Sequence, residues 1–273
     1  MAIPTASPLP ALMRDMCVVL VRTSGPVNLG MVARLCGNFG ITDLRLAAPI
    51  TEIDCDDARK FSVTAKPLLL AAKVFPDLRS AVSDCGVVVG TSARLRDGMF
   101  GEPLLPAHLP AALAVRPSAR WALVFGNESD GLTEEEMRCC QLFVRLRHFG
   151  DVFSYNLSHA VGILLYALSD YAAELPPAPA LPQAVTRAEI DRFYRYWLHT
   201  LGRFGYFRRI AEDRFAPKLE LLLSRLHLTD YDVQLLWSML AQFNYHTFGN
   251  RADPDFSGAE TGNGSEPDEP ADA

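Results

Sequence analysis

Short apolar segments alternate with segments of helical spacing through the first two-thirds of the chain, and this alternation constrains the fold more than any other feature. Residues 17–22, 86–91 and 121–125 read CVVLVR, GVVVGT and WALVF. Because they are apolar at nearly every position, each is typical of a strand that is buried on both faces. Further strands are predicted at 43–47 and 141–146, and helices over 28–39, 56–72, 76–84 and 156–172. The sequence therefore predicts an α/β domain in which helices cover a parallel sheet.

Three polar loops follow predicted strands, and ligands of parallel sheets bind at the carboxyl ends of the strands. The loops read GTSAR at 90–94, GNESDGL at 126–132 and RHFGDVFSY at 147–155. Their matching positions predict a shared cofactor pocket. The chain has no G-x-G-x-x-G after its first strand and no Walker-type lysine loop, so a dinucleotide or nucleoside triphosphate site has little support.

The loop at 126–132 lies between a strand and a helix start. Thr133 and Glu136 have the spacing of a capping box, which predicts that a helix begins here. Backbone N–H groups beside a helix N-terminus can hold an anion or the polar edge of a cofactor. Taken alone, the segment also fits an ordinary strand–helix connection.

The segment TSGPVNLGMVARLCGNFG, residues 23–40, opens the first predicted helix. Gly30 permits a close backbone approach, and Arg34 interrupts an otherwise apolar helical pattern. Arg34 is a candidate functional residue, although a surface arginine at the edge of the apolar face fits equally well.

Charge and cysteine content leave the class of partner open. The net charge is −6, but seven acidic residues and no basic residue follow Arg251. Without that tail the chain has 26 basic and 25 acidic residues, so the overall charge neither supports nor excludes RNA. Six scattered cysteines form no C-x-x-C pair, which predicts packing or surface thiols and no metal site. The N-terminus lacks a signal-peptide pattern and no apolar run is long enough to span a membrane, so a cytoplasmic protein is expected.

Composition divides the chain into five predicted parts. Residues 1–15 form a flexible leader and residues 16–173 the α/β domain. Prolines at 176, 177, 179 and 182 predict a stiff linker over 174–186. A capping box of Thr186 and Glu189 opens a helical unit over 187–248. Residues 249–273 are rich in Gly, Pro, Ser and acids, which is typical of a disordered acidic tail.

The helical unit combines basic and aromatic residues, a composition typical of RNA binding. Arg192, Arg195, Arg208 and Arg209 are the candidate phosphate contacts. A solvated face with no ligand is the alternative. Phe193 and Trp197 have core spacing, and we interpret them as packed. His159, on the apolar helix 156–172, is likewise interpreted as a packed side chain rather than a base.

Three segments together resemble the SpoU/TrmH branch of the SPOUT RNA methyltransferases. The motif N-x-G-x-x-x-R matches Asn28, Gly30 and Arg34; the loop G-N-E-x-x-G-L matches Gly126 to Leu132; and S-x-N-x-S matches Ser154, Asn156 and Ser158. The Thr-Ser-Ala-Arg loop and the helical extension are similar to those of the TrmJ-type tRNA 2′-O-methyltransferases. The resemblance covers roughly residues 16–248.

This resemblance implies a fold and an activity. The implied fold is a parallel-sheet SPOUT domain with a C-terminal trefoil knot, followed by a small helical extension, and the implied assembly is a homodimer with its active sites at the interface. The implied cofactor is S-adenosylmethionine. The residues implied to bind it are Thr91, Ser92, Ala93, Gly126, Asn127, Leu132, Leu146, Ser154 and Asn156.

The implied catalytic residues are Arg34, Asn28 and Glu128. Arg34 would stabilise negative charge on the ribose O2′, Asn28 would orient Arg34 or the ribose, and Glu128 would pair with Arg34 of the same or the partner subunit. The implied substrate is a tRNA ribose at the first nucleotide of the anticodon loop. Another tRNA position, ribosomal RNA, or a non-catalytic RNA-binding role are the alternatives.

The sequence departs from the family pattern in its third loop. Leu146-Arg147-His148 replaces the common Ile-Pro step, and Tyr155 replaces a small aliphatic residue. Arg22 stands where relatives often carry an acidic residue, and Asn127 where TrmJ-type enzymes often carry arginine.

Overall fold

A computed structural model describes residues 9–92, 100–173 and 182–249. Its centre is a six-stranded sheet in which every neighbouring pair of strands is parallel. The strands are β1 Met16–Val21, β2 Leu44–Ala47, β3 Lys73–Phe75, β4 Val87–Thr91, β5 Trp121–Phe125 and β6 Leu142–Val144, in the spatial order β3-β2-β1-β5-β4-β6. The predicted α/β fold with a parallel sheet is confirmed.

The sheet is buried on both faces because its strands are apolar at successive positions. Val18 and Leu20 of β1 belong to one hydrophobic cluster, and Cys17, Val19 and Val21 belong to the other. Successive side chains of a strand point to opposite faces, so a strand without alternation needs a cover on each side.

Eleven α-helices lie within the described residues. They are α1 Ala11–Arg14, α2 Pro26–Asn38, α3 Asp56–Ser62, α4 Lys66–Leu70, α5 Leu78–Ala81, α6 Leu109–Ala114, α7 Glu134–Arg138, α8 Leu157–Ala173, α9 Arg187–Arg203, α10 Glu212–Arg225 and α11 Asp230–Phe248. Helices α2 and α8 contribute to the first cluster and helices α5 and α7 to the second. Short 3₁₀ turns occur at Val63–Ala65, Pro106–His108 and Tyr206–Arg208.

Helix α2 begins at a proline, which is suited to the first helical position because its missing N–H would have no partner there. A Cβ atom on Gly30 would lie 2.4 Å from the carbonyl oxygen of Ala58. Only glycine therefore lets α2 pack this closely against α3, as the sequence predicted for Gly30.

The structure differs from the sequence prediction in three ways. The helix predicted over 76–84 is confined to α5, Leu78–Ala81. The helix predicted over 56–72 is divided into α3 and α4 by a turn at Val63, whose φ of 51° lies in the left-handed region. Strand β3 was not predicted, because its three residues are half-buried or exposed at the sheet edge and too few to show a period.

Helices α9 to α11 pack on a separate cluster that contains Phe193, Leu219 and Leu223, with Trp197 partly buried against it. The predicted packing of Phe193 and Trp197 is confirmed. The boundary at 174–186 stays a prediction, since residues 174–181 lie outside the described residues, as do most of the leader and residues 250–273 of the acidic tail.

A buried ion cluster connects these helices to α5 and α7 of the α/β domain. Arg187 is 1% exposed and donates to Glu220 at 2.8 Å, and Arg79 of α5 also pairs with Glu220. Ser224 donates to the carbonyl oxygen of Arg138 at 2.9 Å. Arg187 is one of the basic residues of the helical unit, but its burial excludes it from a phosphate-binding surface.

Candidate active site

The loop between β5 and α7 folds back on itself directly after the strand. Asn127 and Gly131 exchange two backbone hydrogen bonds, at 3.2 and 2.9 Å. A Cβ atom on Gly126 would lie 2.2 Å from the carbonyl carbon of Gly131, so this turn requires glycine. The capping box of Thr133 and Glu136, predicted from the sequence, starts α7.

The Asn127 side chain fixes this loop through two hydrogen bonds. Its Nδ2 donates to the carbonyl oxygen of Arg22 at 2.6 Å, and its Oδ1 accepts from the backbone N–H of Ser129 at 2.8 Å. Asn127 is 9% exposed. Its amide therefore supports the loop, and only a small part of the residue is open to the adjoining cavity.

Arg22, directly after β1, fixes the same loop through hydrogen bonds of its guanidinium group. Its guanidinium contacts both carboxylate oxygens of Glu136, at 2.8 and 3.1 Å, as well as Asp130 at 3.0 Å and the Gly131 carbonyl oxygen at 2.8 Å. The hydrogen bond to Glu136 raises the pKa of Arg22. The Arg22 backbone adopts a φ of 50°, an uncommon conformation for a residue other than glycine.

Glu128 reaches from the same loop to the residues just ahead of α2. Its carboxylate accepts hydrogen bonds from the Thr23 hydroxyl at 3.1 Å, from the backbone N–H groups of Ser24 and Gly25 at 3.2 Å each, and from Asn28 Nδ2 at 3.2 Å. Partial burial alone would raise the pKa of Glu128, but these hydrogen bonds lower it. The ionised carboxylate also faces the positive end of the α2 dipole.

Asn28 connects Glu128 to the start of α8. While its Nδ2 donates to Glu128, its Oδ1 accepts from Asn156 Nδ2 at 2.9 Å. Because an ionised carboxylate only accepts hydrogen bonds, Glu128 fixes which way the Asn28 amide points, and Asn28 in turn fixes Asn156. The three predicted motifs therefore meet in one hydrogen-bonded chain.

Asn156 completes this chain by capping α8. Its Oδ1 accepts from the Ser158 N–H at 3.0 Å, the Ser158 hydroxyl at 2.7 Å and His159 Nδ1 at 3.1 Å. Since Asn156 presents an acceptor, His159 carries its proton on Nδ1 when neutral and leaves Nε2 as an acceptor. His159 is exposed, so its interpretation as a packed side chain is wrong.

A cavity of about 250 Å³ opens at the carboxyl ends of β4, β5 and β6. The predicted cofactor residues that line it are Thr91, Ser92, Gly126, Asn127, Leu132, Leu146 and Ser154. Asn156 is not in the lining but lies directly between the lining residues Tyr155 and Leu157. Ala93 lies outside the described residues. The structure thus brings the three predicted loops to one cavity.

Sequence reasoning missed several residues of the lining. They are Phe125, Ser129, Asp130, Gly131, Met137, Val144, Arg145, Phe153, Tyr155, Leu157, Ala160 and Leu164, together with Glu128, which was predicted for another role. Leu157, Ala160 and Leu164 follow helical spacing along α8, a signal that could have identified one wall of the cavity.

The three predicted catalytic residues are not all brought together within one chain. Glu128 lines the cavity and Asn28 bonds directly to it. Arg34 is exposed, and within the described part of the chain it has no hydrogen bond or ion pair. The predicted pairing of Glu128 with Arg34 of the same subunit is therefore wrong, because the Glu128 carboxylate is occupied by residues 23–28. Likewise Asn28 orients Asn156 rather than Arg34.

The predicted RNA-binding arginines of the helical unit are exposed. Arg192 lies over the Trp237 ring, with its Cζ atom 5.0 Å from the centroid, and Arg195 Nε donates to the Asp191 carbonyl oxygen at 3.3 Å. Arg208 lies beside Gly205, and Arg209 follows it in the same turn. Their role stays a prediction.

No three His, Cys, Asp or Glu side chains among the described residues are placed to hold a metal ion. No helix in this part of the chain has the length and apolar character needed to cross a membrane.

The model of the SpoU rRNA methylase family matches residues 15–166. A tRNA (cytidine/uridine-2′-O-)-methyltransferase TrmJ from Escherichia coli K12 is 29% identical over 255 residues, which span 89% of this chain and 100% of that protein.

Solved structures of similar proteins share the fold. The crystal structure of TrmJ from Z. mobilis ZM4 aligns with a TM-score of 0.71 at 24% identity, over 84% of this chain and 98% of that one. A probable methylase family protein from Haemophilus influenzae Rd KW20 aligns with a TM-score of 0.55 at 26% identity, over 86% of this chain and 98% of that one.

Proposed function

This chain belongs to the SpoU rRNA methylase family, and we propose that it methylates the ribose 2′-hydroxyl of a tRNA at the first nucleotide of the anticodon loop, a cytidine or uridine. The observation that carries the proposal is the hydrogen-bonded chain Glu128–Asn28–Asn156, which joins all three motifs beside one cavity. The full-length match to a relative named for tRNA cytidine and uridine supports the choice of substrate.

The cavity suits S-adenosylmethionine, the methyl donor of this family. Backbone groups of Ser92 and Gly126 can receive its polar edges, and Leu132, Leu146 and Leu157 offer an apolar wall for its adenine ring. Glu128 and Asp130 place carboxylates near a cofactor that carries sulfonium and ammonium charges. When bound, the cofactor supplies an electrophilic methyl group.

The protein's contribution is mainly positioning. A ribose hydroxyl is a poor nucleophile, so it must be held in line with the methyl group while its proton departs. Guanidinium groups stay protonated in proteins; we therefore assign Arg34 to stabilising the negative charge that develops on O2′ rather than to removing the proton. Asn28 and Glu128 keep the first and second motifs at a fixed spacing, and Asn156 joins the third motif, at the start of α8, to Asn28.

Arg34 belongs to this scheme through a second protomer. We propose a homodimer in which Arg34 of one subunit completes the cavity of the other, since it is exposed and has no partner within the described part of its own chain. Ile163 and Tyr166 of α8 are 42% and 65% exposed, and they provide an apolar face for such an interface. The proposal also includes a trefoil knot, which the C-terminal part of the 16–173 domain would form. The helical unit over 187–248 would bind tRNA, and the protein would be cytoplasmic.

Methyl transfer from labelled S-adenosylmethionine to unmodified tRNA transcripts tests this function. We expect a single 2′-O-methyl group at the start of the anticodon loop. Transfer to ribosomal RNA alone, a substrate in accord with the family's description, would retain the chemistry and reject the tRNA assignment. Tight cofactor binding without transfer to any RNA would favour a non-catalytic RNA-binding protein.

A further inference from the structure

The loop between β6 and α8 exposes aromatic side chains that a folded protein would ordinarily bury. Phe149 is 93% exposed, and Phe153 and Tyr155 are each 43% exposed. Val152, between them, is 76% exposed. Single exposed apolar residues are common, but a cluster of large ones marks a binding surface.

This aromatic loop borders the proposed cofactor cavity. Phe153 and Tyr155 line the cavity together with Arg145, which precedes the loop. The Tyr155 hydroxyl donates to the Arg147 carbonyl oxygen at 2.7 Å, so the two ends of the loop are tied together. Phe149 lies in the segment between these ends, four residues before the lining residue Phe153.

The charge of the loop complements a nucleic acid. In and directly before the loop there are three basic residues, Arg145, Arg147 and His148, but only one acidic residue, Asp151. Arginine side chains bind phosphates, and exposed aromatic rings stack on unpaired bases of RNA loops. Arg147, His148 and Tyr155 are also among the positions at which the sequence departs from the family pattern.

We propose that Phe149 is a stacking platform for an unpaired base of the RNA substrate next to the methylated ribose, and that Arg147 contacts the adjoining phosphate. This inference rests on the proposed function, since it takes the acceptor to be RNA. A second copy of the chain is the alternative occupant, and a change in oligomeric state on substitution would identify it.

Three variants separate stacking from simple apolar contact. Phe149→Leu keeps an apolar side chain without a ring, Phe149→Tyr keeps the ring, and Val152→Ala is a control in the same loop. Both positions are exposed, so thermal melts should be unchanged. We would measure the Kd for a tRNA transcript by fluorescence anisotropy, the Kd for S-adenosylmethionine by calorimetry, and the oligomeric state by sedimentation velocity.

Stacking predicts that Phe149→Leu weakens tRNA binding by at least about fivefold, whereas Phe149→Tyr and Val152→Ala stay within about twofold of wild type. Cofactor affinity and sedimentation should not change. Equal tRNA affinity of the leucine and tyrosine variants would overturn the platform, and a shift in sedimentation for Phe149→Leu would identify the patch as an interface between copies.

The proposed function can fail separately from this inference. A wild-type protein that binds tRNA but transfers no methyl group contradicts the function, while the anisotropy comparison still decides the platform. A wild-type protein that binds no RNA overturns both.

Discussion

Asn156 donates a 2.9 Å hydrogen bond from its Nδ2 to the Oδ1 of Asn28, 128 residues earlier in the chain. Asn28 can accept it only because its own Nδ2 is engaged by Glu128. One ionised carboxylate therefore orients two amides in succession and, through Asn156, sets the proton position of His159. Changes to any member of this chain are expected to disturb the others.

Replacing Asn28 with aspartate should reduce turnover by about tenfold or more. The new carboxylate would face Glu128 at hydrogen-bond distance, and it would lose the donor that Glu128 requires. Steady-state methyl transfer measures the effect, and Asn38→Asp, at an exposed position of the same helix, is the control. Turnover close to that of wild type would show that the chain does not position the reacting groups.

Glu128→Gln should destabilise the protein by about 1 kcal/mol at neutral pH, a magnitude typical of lost capping interactions. Hydrogen bonds lower the pKa of Glu128 in the folded state, so its unfolded form holds a proton more tightly. The stabilisation is thus present above the ordinary glutamate pKa of about 4.3 and is lost as the pH falls below it. Urea unfolding of both proteins should be measured between about pH 3 and pH 7, a range that includes the ordinary glutamate pKa. The difference in unfolding free energy between wild type and Glu128→Gln should shrink on acidification. A difference independent of pH would show that it does not come from the ionised Glu128 carboxylate.

Arg22→Met should weaken binding of S-adenosylmethionine by about three- to tenfold, because the charged hydrogen bonds of the Arg22 guanidinium hold the loop between β5 and α7 in place. Arg22 contacts Glu136, Asp130 and the Gly131 carbonyl oxygen, and two of these three residues line the cavity. Calorimetric titration gives the affinity, and turnover at saturating cofactor should remain near wild type. Arg14→Met, an exposed arginine ahead of β1, is the matched control, and equal affinities would remove Arg22 from this role.

Arg34→Ala should lower turnover by about a hundredfold, as loss of one group that stabilises developing charge commonly does, while cofactor affinity stays unchanged. Arg34→Lys, which keeps the charge but not the planar donor geometry, should recover only part of the loss. Mixing the Arg34→Ala protein with a cavity-defective Gly126→Val protein tests the second-protomer assignment, because heterodimers should regain activity in one of their two sites. No recovery on mixing would place Arg34 and Gly126 in the same subunit's site.

Glu220→Gln should destabilise the protein by about 3 kcal/mol, because it removes one of the two carboxylates that pair with the buried Arg187 guanidinium. Glu220 pairs with Arg79, Arg138 and Arg187, and Arg187 has no exposed side-chain surface. Chemical unfolding measures the loss, with Lys218→Met on the exposed side of the same helix as control. A change below about 0.5 kcal/mol, the range of ordinary surface substitutions, would mean that Asp191 alone suffices to balance these arginines.

Much of the fold could be predicted from short segments of sequence. The buried strands β1, β4 and β5 are apolar at successive positions, and the capping boxes at Thr133 and Thr186 mark helix starts through contacts three residues apart. These signals depend on near neighbours. Strand β3 and the break at Val63 lack such signals, since an exposed edge strand and a single left-handed residue leave no period.

The cavity was predictable in outline but not in detail. Three loops after three strands indicated a shared pocket, because parallel strands present their carboxyl ends at one edge. The residues of the α8 wall, such as Leu157 and Ala160, were not identified, since periodicity gives a helical face but not the partner that the face meets.

By itself, the sequence determined most of the strands and helices, several of the helix starts, and which polar loops follow strands, because neighbours within a few positions decide these properties. Only the tertiary structure decided that Asn28 joins Glu128 to Asn156, that His159 is exposed, and that Arg34 stands apart from its own cavity. Those relationships depend on strand order and on how α2 and α8 pack, which bring together or separate residues about a hundred positions apart.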